Sequence, residues 1–572
     1  MNNNQLLFVL DIIKNLKILD PSVGDGQFLV KAFTLLKEIY EMFREMGIIK
    51  WKDYEINKHL VSCTLYGVDI DENAVKNCRN RLLMNFKCPE NINPCIKKGN
   101  SLDDFDWEKE FPEVFEEGGY DIIIGNPPYV RQEKIKEFKP IFSKKFQTFV
   151  GTADLYVYFI EKSILLLKQG GYLANIVSNK FIKTRYGKKI RKFILENCKI
   201  IQYKDEFKSN VFQTASVDPC IIIIKKDTNN IDNKILINER YYSNQSNLDE
   251  NAWNFLSDDL FILKNAIENK CILLKDYCGE PYSGIKTGLS DVLIVNSHQI
   301  NKIVGQNVNE RELFIPFIRG KDISRWKYEF QHQYLIYTED IDINCFPNIK
   351  KYFEMHRKRL SNRTDIKNTS KEWFQLRPCA YYKEFKKPKI IYPDISRNCR
   401  FAFDTNGVFV NNTAYIIPKD DKFLLGVLNS RLIEFYFQFL SVKLGKNGFR
   451  FIQQYVNLIP IREPQKKQKE VIISIVNLIL NLYHNQKSDK TKHYIMFFEN
   501  YLLNCLIYEL YLEDFVDCNK NLYEMIFPIL PELNTQNNYH VFEMLIKQKY
   551  IQKVIEKIKQ NKWVKKIEEN YI

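Results

Sequence analysis

The run Asp121-Ile122-Ile123-Ile124-Gly125 leads without a break into Asn126-Pro127-Pro128-Tyr129. The first five residues read as a buried strand, and two prolines fix the backbone that follows into a rigid turn. An amide and an aromatic ring held on such a turn can grip a flat, amino-bearing group. At an average usage of roughly 5% per residue, a specified tetrapeptide occurs by chance in only about 0.4% of chains this long. A plain proline turn closing a strand is the alternative, and the company the tetrapeptide keeps weighs against it.

That company begins upstream, at Ile18-Leu19-Asp20-Pro21-Ser22-Val23-Gly24-Asp25-Gly26-Gln27-Phe28-Leu29-Val30. A short apolar strand ends at Asp20, and a helix opens near Phe28. Between them Gly24 and Gly26 let the backbone approach a ligand more closely than any side chain would allow. The glycine spacing differs from the dinucleotide fingerprint, and many strand-to-helix turns carry two glycines. A second strand, Leu65-Tyr66-Gly67-Val68-Asp69-Ile70-Asp71, ends in acid. A carboxylate there can accept hydrogen bonds from both hydroxyls of a ribose, or it can cap the helix expected from Glu72. Ligands of open doubly wound sheets bind at the carboxyl ends of strands where strand order reverses. If the strand ending at Asp20 neighbours the strand ending at Gly125, the glycine loop and the Asn-Pro-Pro-Tyr turn face each other across one crevice.

These motifs, in this order, resemble the S-adenosylmethionine-dependent N6-adenine DNA methyltransferases of the gamma order, Taq-type, including the methylase parts of type IIG restriction-modification enzymes. The resemblance implies a doubly wound, Rossmann-like α/β methyltransferase sheet, a mixed α+β target recognition domain and a helical C-terminal region. It implies S-adenosylmethionine as cofactor, with Asp20, Pro21, Gly24 and Gly26 around the methionine part. Asp69 falls on the ribose-binding acid, Ile70 on the residue packing against the cofactor adenine, and Asn100 where an acid is usual. Asn126 and Pro127 fall on the pair accepting hydrogen bonds from the target amino group, followed by Pro128. Tyr129 falls on the ring stacked upon the flipped base, and Phe212 on a second aromatic against the same base. Asp154-Leu155-Tyr156 and Gly170-Gly171-Tyr172 resemble later motifs of the family.

The family also carries a Thr-Pro motif ahead of the glycine loop, and residues 1–17 contain none. That departure gives a second expectation, an N-terminally truncated DNA-binding remnant without catalysis. A third keeps the chemistry and changes the substrate to an RNA base or a protein glutamine amide, since both pose the same problem of a delocalised nitrogen lone pair. The several hundred residues after Lys226 favour sequence-specific double-stranded DNA. No nuclease constellation is evident, so a separate restriction endonuclease is the expected partner.

Length predicts two or three domains for 572 residues. A boundary is expected near residue 230: a catalytic domain over 1–230, target recognition over 250–465 and helices over 466–572. Within the middle part, Ser283 to Leu289, Phe317 to Ile323, Trp373 to Arg377, Lys389 to Ile395 and Asn411 to Thr413 alternate turns with short strands, and Asp291 to Val295 reads as a strand. Basic residues interleaved with Trp326, Tyr328, Trp373, Phe374 and Tyr392 suit a surface gripping phosphates and reading base edges. Lys and Arg exceed Asp and Glu by 14, an excess that suits a polyanion and equally a solvated lysine-rich surface. The 13 cysteines are scattered without metal-ligand spacing, so no metal is expected and reduced thiols in a cytoplasmic protein are the economical reading. No apolar stretch reaches the length of a membrane span. Near the end, Ile551, Val554, Ile555 and Ile558 recur at helical spacing and read as a core stripe.

Overall fold

The computed structural model describes residues 3–85, 92–207, 218–229, 232–367, 371–441, 444, 448–484, 489–514, 521–533, 543 and 545–570. Its internal contacts divide it into two compact units, Met1–Phe261 and Ile262–Ile572.

The first unit is built on one nine-stranded sheet. Its strands are β1 (Ile18–Asp20), β2 (Leu65–Asp69), β3 (Cys95–Lys98), β4 (Tyr120–Gly125), β5 (Leu167–Ser178), β6 (Cys198–Lys204), β7 (Pro219–Lys226), β8 (Lys234–Ile237) and β9 (Tyr241–Asn244). They lie in the order β3-β2-β1-β4-β5-β7-β6-β8-β9. The first five are mutually parallel, β7 runs antiparallel to both neighbours, and β9 closes the far edge antiparallel to β8. Strands buried on both faces read as near-continuous apolar runs, which is why β4 carries three successive isoleucines. The helix Gln27–Glu45 covers one face with Leu29, Phe33, Leu36, Tyr40 and Phe43, spaced alternately four and three apart so that they form a single stripe. The helix Tyr156–Leu166 is buried almost all round, among the aromatic and aliphatic side chains of the largest core cluster.

The division between units at Phe261 lies beyond the boundary expected near residue 230. Strands β8 and β9 continue the sheet past that point, with Gln202 and Tyr203 of β6 in register with Leu236 and Ile237. Trp253 also belongs to the core of the sheet domain, and its N–H donates to Asp249 O at 2.8 Å.

The second unit holds two four-stranded sheets over a shared apolar core. One contains Tyr282–Ser283, Ala414–Ile417, Lys389–Pro393 and Ala402–Asp404; the other Ile294–Asn296, Gln333–Ile336, Phe314–Ile318 and Phe409–Val410. Helices Lys422–Leu428, Arg431–Leu440, Lys466–His484, Asn504–Tyr511, Lys549–Gln560 and Lys562–Asn570 follow. Ile551, Ile555 and Ile558 are buried along one helix face, as their spacing requires.

Two expectations for this unit change. Ser290–Leu293 is a helical turn, and only Ile294–Asn296 is strand, where Asp291 to Val295 had suggested strand throughout. Trp326, Phe374 and Tyr392 are buried, at 2%, 4% and 0% exposure. They pack the core, as aromatics of that size commonly do, and are closed to a nucleic-acid surface. No helix among the described residues is long and apolar enough to cross a membrane.

Candidate active site

The chain leaves β1, travels outward through β2 and β3, then returns to enter β4 on the other flank of β1. Strand order therefore reverses between β1 and β4, whose registers pair Ile18 with Ile122 and Leu19 with Ile123. The two motifs end on adjacent strands at the same edge of the sheet. A Cβ on Gly125 would stand 3.0 Å from Asp20 Oδ1, so a larger residue would press on the carboxylate where the two strand ends meet.

Asp20 is 1% exposed. Its Oδ1 accepts from Ser22 N at 3.0 Å, shaping the start of the glycine loop. Burial raises its pKa to about 7, the Ser22 bond opposes that, and the Asp69 carboxylate adds to it. Farther along the loop, Val23 N donates to Val68 O at 3.0 Å and Gly24 N donates to Asp69 Oδ2 at 2.8 Å. The other oxygen of Asp69 accepts from Asp71 N at 3.0 Å. Both glycines occupy the left-handed region, with φ of +53° at Gly24 and +84° at Gly26. A Cβ at Gly26 would also lie 2.6 Å from Cys78 Sγ, on the helix Glu72–Asn85.

The third strand end closes onto the same loop. Ser101 Oγ donates to Pro21 O at 2.6 Å, and Gly99 N donates to Asp69 O at 2.9 Å. Asn100 Oδ1 accepts from Leu102 N at 3.1 Å, so its oxygen is used to make the turn.

Past Gly125 the chain turns through Pro127, which is buried, and Pro128, which is exposed. Tyr129 is anchored rather than loose: its hydroxyl donates to Ile176 O of β5 at 3.1 Å, and burial pushes its pKa well up. The segment Asp154-Leu155-Tyr156 explains itself here. Gln132 N donates to Asp154 Oδ1 at 3.1 Å and Leu155 N to Val130 O at 3.0 Å. The later motif thus holds the exit of the turn.

A cavity of about 300 Å³ opens between these strand ends, at the small end of the range for small-molecule sites. Pro21, Ser22, Asp69, Ile70, Asn100, Asn126 and Pro128 contribute to its lining. Among the described residues, Asn126 Oδ1 and Ser22 Oγ are buried with no hydrogen-bond partner. Buried polar atoms are nearly always paired, so two such atoms on one cavity mark a place built for a polar ligand. Asp20 sits behind the wall, Gly24 and Gly26 shape the loop, and Pro127 and Tyr129 brace the turn; none of these five lines the cavity. Phe212 lies outside the described residues.

Sequence reasoning missed most of the apolar wall, formed by Ile135, Phe138, Phe142 and Phe159 beside Leu155 of the motif already named. The aromatic density from Phe138 to Phe149 was its signal. It also missed Asn175, paired in register with Gly125 and 1% exposed, with neither side-chain atom hydrogen-bonded among the described residues. Nothing in the local pattern of β5 sets that residue apart.

A doubly wound sheet of this strand order, with a reversed seventh strand and a cavity at the β1/β4 switch point, defines an S-adenosylmethionine-dependent methyltransferase. Residues 63–212 match the Eco57I restriction-modification methylase family, and residues 315–461 match the TaqI-like C-terminal specificity domain. The chain thus carries a restriction-modification methylase part and a TaqI-like specificity part, and its relatives are type II DNA methyltransferases of restriction-modification systems. It is 28% identical over 503 residues to the type II methyltransferase M.BstVI of Geobacillus stearothermophilus, covering 79% of this chain and 86% of that one. It is 24% identical over 536 residues to the type II methyltransferase M.BanIII of Aneurinibacillus aneurinilyticus, covering 82% and 87%. The structure of the type IIL restriction-modification enzyme MmeI in complex with DNA superposes with a TM-score of 0.62 at 16% identity, covering 93% of this chain and 75% of that one. That likeness is one of fold.

Proposed function

We propose that this methyltransferase acts on the N6 amino group of adenine in double-stranded DNA, at a specific sequence, as the protective half of a restriction-modification system with a separate endonuclease. The observation that carries this reading is the unpartnered, buried Asn126 Oδ1 on the cavity beside Asp69 and Asn100. An aromatic amine has its lone pair drawn into the ring. Two acceptors, Asn126 Oδ1 and the Pro127 carbonyl, would bind its hydrogens and favour the geometry in which the pair is localised on nitrogen. Such acceptors act without reorganising because the two prolines fix the turn and Asp154 and Leu155 hold its exit. Tyr129, tied to β5, would offer a ring face to the extruded base, offsetting part of the few kcal/mol of unstacking; we give Phe212 the same role.

S-adenosylmethionine, when bound, supplies an electrophilic sulfonium methyl. Its fit rests on the cavity's mixed lining and on Ser22 Oγ, buried there without a hydrogen-bond partner among the described residues. We assign Asp20, Pro21, Gly24 and Gly26 to its methionine end, Asp69 to the ribose, and Ile70 and Asn100 to the adenine. Ile70 is 65% exposed, an apolar side chain at the cavity that a flat ring would cover. We assign catalysis to the sheet unit that contains residues 1–230, target recognition to the part of 250–465 within the second unit and a helical region to 466–572, and set the reaction in the cytoplasm with its DNA.

The test is incubation of the purified protein with unmethylated DNA and S-adenosylmethionine, followed by nucleoside mass spectrometry. N6-methyladenine is the expected product, absent from the Asn126→Ala protein, which should keep its cofactor affinity. N4-methylcytosine would refute the base assignment. Methylation of RNA or of protein glutamine in preference to DNA would refute the substrate.

A further inference from the structure

Three segments of the second unit that the proposed reaction does not use meet at one turn. Strand Phe314–Ile318 runs parallel to Phe409–Val410, pairing Ile318 with Val410, and both strands exit on the same side. The first continues as Arg319-Gly320-Lys321 and the second as Asn411-Asn412-Thr413. Gly320 N donates to Thr413 Oγ1 at 3.0 Å, and Asn411 N donates to Ile318 O at 3.0 Å. From a third direction, Gly284 N donates to Ala414 O and Ile285 N to Val410 O, both at 2.8 Å. A Cβ on Gly284 would stand 1.9 Å from Asn411 O, and one on Gly320 2.1 Å from Thr413 O. Both glycines are therefore dictated by close approach to the same turn.

Two side chains of the turn are spent on building it. Asn411 Oδ1 accepts from Thr413 Oγ1 at 2.7 Å and from Thr413 N at 3.2 Å. Asn412, between them, is exposed and makes no hydrogen bond among the described residues. Lys286, Arg319 and Lys321, which adjoin Ile285 and Gly320 on the two segments bonded to this turn, are all exposed. None of the three lies within 4.0 Å of a carboxylate among the described residues. The nearby Asp322 carboxylate is turned to Arg319 N at 2.9 Å. A carboxamide presented on a rigid turn, with unpaired cations on the segments bonded to that turn, is what base-edge reading with phosphate anchoring requires.

We infer that this turn is a DNA-reading tip: Asn412 hydrogen-bonds a base edge in the major groove, while Lys286, Arg319 and Lys321 contact backbone phosphates. The inference rests on the proposed DNA reaction and names the surface that selects the sequence.

The experiment uses the full chain in three forms: wild type, Asn412→Ala, and the triple variant Lys286→Ala/Arg319→Ala/Lys321→Ala. Sequence preference is read both by mapping methylated positions in genomic DNA and by selecting bound duplexes from a random pool. Asn412→Ala should lose roughly ten- to a hundredfold discrimination at one position of the recognition sequence and keep it elsewhere. The triple variant should bind all duplexes more weakly, and its slope of log affinity against log salt should shrink by up to about 2.7, or 0.9 per phosphate contact. An Asn412→Ala protein with unchanged preference overturns the base contact. An unchanged salt slope in the triple variant overturns the phosphate contacts. Wild-type protein that binds DNA but methylates none of it would overturn the proposed reaction instead, and duplex selection and salt slope would still report on the tip.

Discussion

Asp20→Asn isolates the consequence of burying a carboxylate beneath the glycine loop. The carboxyl titrates at about 7 in the folded protein against 3.8 for the free group. Below about pH 4 the group is protonated in both folded and unfolded chains and contributes no pH dependence. Between about 4 and 7 the folded chain holds a proton that the unfolded chain has released, so stability falls as pH rises. The slope is about 1.4 kcal/mol per pH unit, and across some three units the loss reaches about 4 kcal/mol. Above about 7 both forms are ionised and the dependence ends. Asparagine removes the titration and keeps the acceptor for Ser22 N, which bonds Asp20 Oδ1 at 3.0 Å. The assay is urea unfolding of wild type and variant at pH 5, 6, 7 and 8. The advantage of the variant should grow with pH by about 1.4 kcal/mol per unit up to about 7, then level off. A difference independent of pH would mean that Asp20 is ionised in the folded protein, and the argument from burial would be wrong. The same titration bears on binding. S-adenosylmethionine is cationic at the end assigned to Asp20, so binding should favour the ionised carboxylate. Calorimetry near pH 6 in two buffers of different ionisation heat should show proton release in wild type and none in the variant.

Other perturbations follow from single contacts. Asp69→Ala removes the acceptor of Gly24 N and Asp71 N as well as the assigned ribose contact; a charge-assisted bond is worth about 1.5–3 kcal/mol, so S-adenosylmethionine should bind roughly ten- to a hundredfold more weakly by calorimetry. Gly26→Ala meets both a φ of +84° and Cys78 Sγ at 2.6 Å, whereas Gly24→Ala meets only its φ, with open space at Cβ. Chemical denaturation should therefore show the larger loss for Gly26→Ala, by about 1–3 kcal/mol. In the second unit Lys389 and Asp404 are both fully buried and paired, and Asp404 also accepts from Tyr328 and from Val408 N. Asp404→Ala leaves the ammonium buried without its counter-charge, and a loss of about 3–5 kcal/mol is expected in thermal or urea unfolding.

Much of the site was legible because its determinants are local. A strand that must be apolar on both faces, a bend that only glycine follows, and a turn that two prolines make rigid all show as residue types at fixed spacing. Asp69 and Asn126, which line the cavity, and Asp20, Gly24 and Gly26, which lie behind it, could be picked out as candidates on those grounds. The meeting of β1 and β4 was expected from the family's strand order and is what the registers give. The interleaved aromatics of the second unit misled for the opposite reason. Whether Trp326 or Tyr392 faces solvent or core depends on which distant strands cover it, and no local pattern carries that information.

By itself the sequence determined the chemistry on offer: an acceptor-bearing rigid turn, a close-approach loop and acids at strand ends. Only the tertiary structure decided how those groups behave. It left Asn126 Oδ1 without a partner among the described residues, raised the Asp20 carboxyl by enclosing it, and set Asp154 and Leu155 as the brace of the turn. It walled the cavity with phenylalanines from the stretch after the turn, and it drew three separate segments onto Asn411–Thr413. The physical reason is common to all of these. Residue type and short spacing fix what the backbone can do within a few positions, while burial, pairing and charge environment are set by residues tens to hundreds of positions away.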